Sequence, residues 1–199
     1  MSGAANDGVL ICDEGPAPVI KIKLTTLFEG MYNILSNQLS RNDSVTFYLR
    51  DAATPYRVRD SAKSVIDSIT FSGLFTFSNA PSGTYYLIAK HFYSIETWSK
   101  AGGESIVADG SVYYDFTSSA SQAYGNNLQL KGGKYCMFSG DVNQDGTIDL
   151  SDLGLIDNDA FNFVSGFVTT DLNADGTVDI DDAAIADNNV FNFVGVIRP

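Results

Sequence analysis

Residues 141–152 read Asp-Val-Asn-Gln-Asp-Gly-Thr-Ile-Asp-Leu-Ser-Asp, and residues 171–182 read Asp-Leu-Asn-Ala-Asp-Gly-Thr-Val-Asp-Ile-Asp-Asp. The two stretches are one pattern at an offset of 30, and the match runs on to Val164 and Val194 with thirteen of 24 aligned positions identical. A repeat of this quality is a duplicated structural unit, and it governs how the rest of the chain is read. After each acidic stretch the apolar residues change to a helical period. Leu153, Ile156, Ala160 and Phe163 share one face, and Ala183, Ala186, Val190 and Phe193 repeat it. The pattern predicts a loop and then a short helix, twice, with the two apolar faces packed together.

The loop spacing suits a hard cation. Ca²⁺ takes six to eight oxygen ligands in flexible geometry, and a twelve-residue loop supplies them from positions 1, 3, 5, 9 and 12 and from the carbonyl of position 7. In the first copy these are Asp141, Asn143, Asp145, Asp149, Asp152 and the Thr147 carbonyl. In the second they are Asp171, Asn173, Asp175, Asp179, Asp182 and the Thr177 carbonyl. Position 6 turns sharply, and Gly146 and Gly176 occupy it. Four aspartates within twelve residues repel one another, and a divalent cation relieves that repulsion. Mg²⁺ suits the set less well because it keeps its waters, and Zn²⁺ finds no His or Cys in either loop. The expectation is two Ca²⁺ ions.

Position 12 is Asp and not Glu in both copies, and Lys131-Gly132-Gly133-Lys134 ahead of the first loop reads as a turn and not as a helix. A duplicated loop-then-helix with Asp at position 12 resembles the type I dockerin family over residues 140–196. That resemblance implies a compact helical module with two EF-hand-type loops, docked to a cohesin-like receptor on a secreted assembly. It also implies recognition at loop positions 10 and 11, here Leu150, Ser151, Ile180 and Asp181. On the helices it points to Asp157, Asn158, Asp187 and Asn188. Ordinary polar helix surface is the alternative reading of these eight residues.

Composition changes where the repeat begins. Residues 1–139 carry 12 acidic and 11 basic side chains, whereas residues 140–199 carry 12 Asp against Arg198 alone. All ten Tyr and Trp98 precede residue 140. Period-2 alternation dominates the first part: Ile20, Ile22 and Leu24 against Lys21, Lys23 and Thr25, then Val45, Phe47 and Leu49 against Thr46, Tyr48 and Arg50. Further strands are expected at 56–59, 74–77, 84–91, 112–117 and 127–130, with Gly, Asn, Pro and Ser between them. This pattern predicts an all-β antiparallel, immunoglobulin-like sandwich. The stretch from Gly73 to Leu87 is similar to the hairpin of carboxypeptidase-regulatory and collagen-adhesin B-type domains, which implies a spacer or adhesive role. The expected division is an N-terminal segment (1–18), a β-sandwich (19–137) and a small α-helical calcium-binding domain (138–199).

Several functions are excluded or left without support. The net charge of −12 lacks a segregated basic patch, which argues against nucleic acid. No apolar run is long enough to span a membrane. At 44% hydrophobic and 18% charged residues the chain is not disordered. A Ser-His-Asp site would have to use His91, and Glu29, Glu96 and Glu104 are the scattered candidates for a carboxylate pair; neither makes a case for an enzyme. The aromatic stretch from His91 to Trp98 leaves glycan binding open as a further alternative, with core packing the plainer reading. In a secreted protein Cys12 and Cys136 can pair, link another subunit or stay as buried thiols, and spacing does not choose among these. Calcium loops of this kind fill outside the cell, while residues 1–5 lack a leader pattern, so a fragment or mature form of a longer exported protein is expected. The apolar patch Val9–Cys12 is a candidate strand for a neighbouring subunit. The reading is a non-catalytic, extracellular calcium-binding assembly or adhesion protein that docks a partner or identical subunits. The alternatives are a self-assembling filament or surface-layer subunit and a carbohydrate-binding module of a larger enzyme.

Overall fold

The computed structural model describes residues 19–199, so the expectations placed on Val9–Cys12 and on a Cys12 pairing lie outside the described residues. The chain forms β1 (Ile20–Thr25), β2 (Tyr32–Asn33), β3 (Gln38–Leu39), β4 (Asp43–Asp51), β5 (Val58–Ile66) and β6 (Ser72–Phe77). It continues through β7 (Gly83–Lys90), β8 (Thr97–Trp98), β9 (Glu104–Ile106), β10 (Ser111–Asp115), β11 (Gln129–Lys131) and β12 (Lys134–Cys136). Two helices follow, α1 (Leu150–Phe161) and α2 (Ile180–Phe191).

Two sheets face each other. One has the order β10-β1-β6, the other β5-β4-β7-β8 with β9 also on β7. The alternating residues point as their period requires: Ile20, Ile22 and Leu24 are buried between the sheets while Lys21 and Lys23 are exposed. Val45, Phe47 and Leu49 face them from β4, and the Phe47 ring lies 5.1 Å from that of Phe75 across the gap.

The sequence-based fold class needs three corrections. The sandwich is not wholly antiparallel. β10 lies parallel to β1, with Ile22 opposite Val112, because the chain returns to that edge only after adding β7 to β9 to the other sheet. The stretch from Gly73 to Leu87 is not a hairpin: β6 pairs with β1 and β7 with β4, so its turn carries the chain from one sheet to the other. Phe75 and Phe77 then meet Phe47 across the core rather than pairing with Tyr85 and Leu87 across a ladder.

The third correction is the largest. The helices do not form a separate small domain of EF-hand type. Each loop leads into a helix, but β12 and an extended segment precede the first loop and nine residues separate α1 from the second. Ile156, Leu172, Val178, Ala183 and Ala186 belong to the same buried cluster as Leu27, Phe28, Met31, Phe47 and Phe75. One core runs from the strands into the helix pair. Two 12-residue helices have too little apolar face to stand alone, and here the sandwich supplies what they lack.

The seam is polar as well as apolar. Glu29 Oε2 accepts the Asn189 amide at 2.7 Å and the Ser139 N–H at 3.2 Å, and Asn189 also donates to the Ser139 carbonyl at 2.8 Å. The last residues tie down the far side: Val196 packs on the Tyr86–Trp98 cluster, and Arg198 reaches Glu96 at 3.2 Å. At Gly30 the backbone of the sandwich touches the second loop so closely that a Cβ would overlap the Leu172 carbonyl oxygen. Gly140 is similar, since a Cβ there would lie 2.9 Å from Ile148 and its φ is +129°. Gly30→Ala is therefore expected to lower stability by about 3 kcal/mol, the upper end of overpacking costs. Urea unfolding checks this; an unchanged midpoint would mean that the strands and helices are not pressed together at this point.

Candidate functional site

Each acidic loop is shaped by its own side chains. In the first, Asn143 Oδ1 accepts the Asp145 N–H at 2.8 Å and Asp145 Oδ1 accepts the Thr147 N–H at 2.9 Å. In the second, Asn173 and Asp175 repeat both bonds at 2.7 and 2.9 Å. These tight turns place Gln144 and Ala174 at positive φ and put Gly146 and Gly176 at +95° and +92°, where glycine alone is free of Cβ strain. Asp149 and Asp179 then cap the helices. Each is joined in a capping box by the Asp three residues on, Asp152 or Asp182. The aspartate at position 12 thus serves as N3 of its helix while its carboxylate lies at the loop.

Burial sets the electrostatics. Asp141, Asp152, Asp171 and Asp182 are between 0% and 2% exposed, though no lysine or arginine is bonded to them. Asp152 and Asp182 are satisfied by backbone N–H groups, Asp152 by Val142 (2.9 Å), Asn143 (3.1 Å) and Asp149 (3.1 Å). Burial pushes the Asp141 carboxyl up to about 6, against a hydrogen bond from Gly146 and with help from Asp152 and Asp145. Burial likewise raises Asp152, Asp171 and Asp182. Asp171 is the least satisfied of the four: among the described residues its buried Oδ1 has no hydrogen-bond partner of good geometry, although the Ala174 and Asp175 N–H groups lie close enough to favour its charge. A buried carboxylate oxygen with neither donor nor cation is costly.

These residues fit an oxygen-liganded cation. Both loops offer only carboxylate, amide and carbonyl oxygens, the donor set of Ca²⁺. Among the described residues no three His, Cys, Asp or Glu side chains already converge as a ready metal cluster. Part of the expected set, Asn143, Thr147, Asn173 and Thr177, is of other types, and Asp145 and Asp175 are turned toward their own loop backbone.

The eight residues assigned to recognition, Leu150, Ser151, Asp157, Asn158, Ile180, Asp181, Asp187 and Asn188, are all exposed. Sequence reasoning missed their most prominent neighbours. Phe163 and Phe193 were expected on the buried helix faces, yet they are 89% and 91% exposed. The chain leaves the helix before them: Asn162 and Asn192 close α1 and α2, and the following Phe turns out in the left-handed region. The signal was present in Phe-Asn-Phe, which occurs at 161–163 and again at 191–193, because Asn favours a helix end.

The other candidates are dispersed or sealed. His91 stacks on Phe28 at 4.0 Å, with Ser94 Oγ 3.3 Å from Nδ1 and Asp43 Oδ2 3.6 Å from Nε2. The three residue types of a Ser-His-Asp site thus meet, but Ser94 and His91 are both buried. Glu29 lies in the seam, Glu96 binds the Trp98 indole and Arg198, and Glu104 pairs with Lys100. His91, Tyr93 and Trp98 are buried and Phe92 is half-buried, as the core-packing reading of this stretch expects. Cys136 is buried, and burial pushes its thiol up to about 12. Among the described residues no helix is long and apolar enough to cross a membrane.

No family model matches the chain, and no curated protein does. The solved structures similar to the chain include two type II cohesin–X-dockerin complexes from Acetivibrio cellulolyticus. One is an N-terminal interface mutant, at 17% identity and a TM-score of 0.46 over 86% of this chain and 94% of that one. The other is a C-terminal interface mutant, at 16% identity and 0.44 over the same shares. These values are too low to assign the chain to a family.

The raised carboxyls have a definite sign. Their folded pKa exceeds the unfolded 3.8, so without a cation their contribution is complete below that value and is lost as pH rises through the folded one, about 6 for Asp141. A cation binds the ionised form. The rise in Tm produced by calcium relative to EDTA is therefore expected to grow from pH 4 to pH 7. A pH-independent difference would contradict this assignment.

Proposed function

We propose that this protein is a non-catalytic, extracellular assembly protein whose helix pair binds two Ca²⁺ ions and presents a protein-docking face, with the sandwich as its body. The observation that carries the calcium assignment is the buried Oδ1 of Asp171, without a hydrogen-bond partner among the described residues and inside a loop whose whole donor set is oxygen. Calcium would be held by Asp141, Asn143, Asp145, Thr147, Asp149 and Asp152 in one loop and by the equivalent residues 30 positions on in the other. Its chemistry there is structural: it neutralises carboxylates that otherwise repel, and its binding energy becomes folding energy.

The docking role draws support from the exposed helix residues, apolar at Leu150 and Ile180 and acidic at Asp157 and Asp187. The non-catalytic reading draws support from the burial of Ser94 and His91 and from the separate engagement of the three glutamates. A cohesin-like receptor and an identical subunit are the two partner classes to separate.

Titration calorimetry on calcium-stripped protein is expected to show two ions bound per chain, and one ion for Asp171→Ala. Light scattering of the calcium-loaded chain is expected to show a monomer, as a docking protein requires. No calcium uptake would overturn the metal assignment, and calcium-dependent polymers would make the chain itself the structural subunit.

A further inference from the structure

Phe163 and Phe193 stand at the position just past the helix end where a left-handed residue is needed, and glycine normally fills it. Their φ values are +54° and +53°. The backbone closure is complete in both copies. Phe163 N–H donates to Ala160 and Val164 N–H to Asp159, at 3.1 and 3.0 Å, and Phe193 and Val194 repeat this to Val190 and Asn189 at 3.0 and 3.1 Å. A phenylalanine there is strained by its Cβ. It is also almost fully exposed, so the ring recovers little by burial within the chain. Two penalties without an internal return, duplicated at an offset of 30, are not a requirement of this fold.

The rings are not isolated. The Ile148 N–H donates to the Val194 carbonyl and the Val178 N–H to the Val164 carbonyl, so each helix starts where the other ends. Leu150, Val190, Phe191 and Phe193 line an apolar cleft at one end of the pair. Ile180, Phe161 and Phe163 occupy the equivalent end, and Phe161, Phe191, Leu150 and Ile180 are between 73% and 82% exposed. Large apolar side chains exposed together in this way mark an interaction site. Asp157 and Asp187 line a shallow cleft together with Ile180, and the only basic residue after position 139 is Arg198, which is committed to Glu96.

We infer that Phe161, Phe163, Phe191 and Phe193 form two docking patches for a protein partner that offers apolar clefts bordered by lysine or arginine. Charge selects the occupant. A second copy docked face to face would set the exposed Asp157, Asp181 and Asp187 of one helix pair against those of the other, whereas a basic-rimmed partner complements this acidic strip and buries the rings. The inference rests on the assembly reading above and gives its partner a chemistry.

The test uses the full calcium-loaded chain and the double variant Phe163→Gly, Phe193→Gly. Glycine relieves the backbone, so the Tm is expected to rise by about 2–4 °C for each kcal/mol of strain relieved, while calcium uptake stays at the wild-type level. A phage-displayed random 12-residue peptide library is panned against the wild type, and enriched peptides are synthesised and titrated. The expected peptides combine aromatic or aliphatic residues with Lys or Arg and lose about 30-fold or more in affinity for the variant. Peptides that bind both proteins equally, lack basic residues or fail to enrich would overturn the inference. So would variant-sensitive binding to phosphatidylcholine or phosphatidylserine vesicles, or a wild-type dimer that the variant lacks, since these mean a membrane or a second copy. Calcium uptake that persists while peptide docking fails refutes the partner chemistry and leaves the metal assignment intact.

Discussion

The carboxylate of Glu29 holds the molecule together at a point where strands and helices have no ladder to share. It accepts from Asn189 on α2 and from the Ser139 backbone, and Lys131 binds the Glu29 carbonyl at 2.6 Å. Desolvation raises the Glu29 carboxyl, while the Asn189 and Ser139 bonds and the nearby Lys131 charge favour its ionised form. Such a node specifies one docking geometry more than it adds raw stability, since buried polar groups are useful only when each has its partner. Apolar packing around it does the larger part of the work. Gly30 and Gly140 are where the two layers come too close for a side chain.

This arrangement makes the acidic loops part of the main fold. Ser40 on the strand side donates to the Asn173 carbonyl at 2.7 Å, and Gln144 reaches Ser94 as well as Asp141. Val196 donates to the Gly146 carbonyl at 2.9 Å and then packs against the outer aromatic cluster of the sandwich. A cation held by either loop would act on contacts that the sandwich also uses. The helix ends, by contrast, are held by their own caps and present their phenylalanines outward.

Local features were legible in the sequence and long-range ones were not. The alternation of Ile20 to Leu24 and of Val45 to Leu49, and the loop-then-helix repeat, follow from short periods that neighbouring residues impose on one another. The parallel placement of β10 depends on where the chain goes between β6 and β10, which no local pattern records. The seam joins Glu29 to Asn189 across 160 positions, and neither residue looks unusual in its own segment. The change in composition at residue 140 suggested a domain boundary, but charge reports the surface and the shared core lies beneath it. Phe163 and Phe193 fit a helical period that the preceding asparagines had already ended.

The central claim is that strands and helices share one core, into which the acidic loops are built. Differential scanning calorimetry of the full chain, once in calcium and once in EDTA, tests it most directly. A single cooperative transition in both conditions, moved to lower temperature by EDTA, is the predicted result. Two transitions, with a small calcium-sensitive one separating from a larger one that calcium leaves unmoved, would contradict it and restore two independent domains.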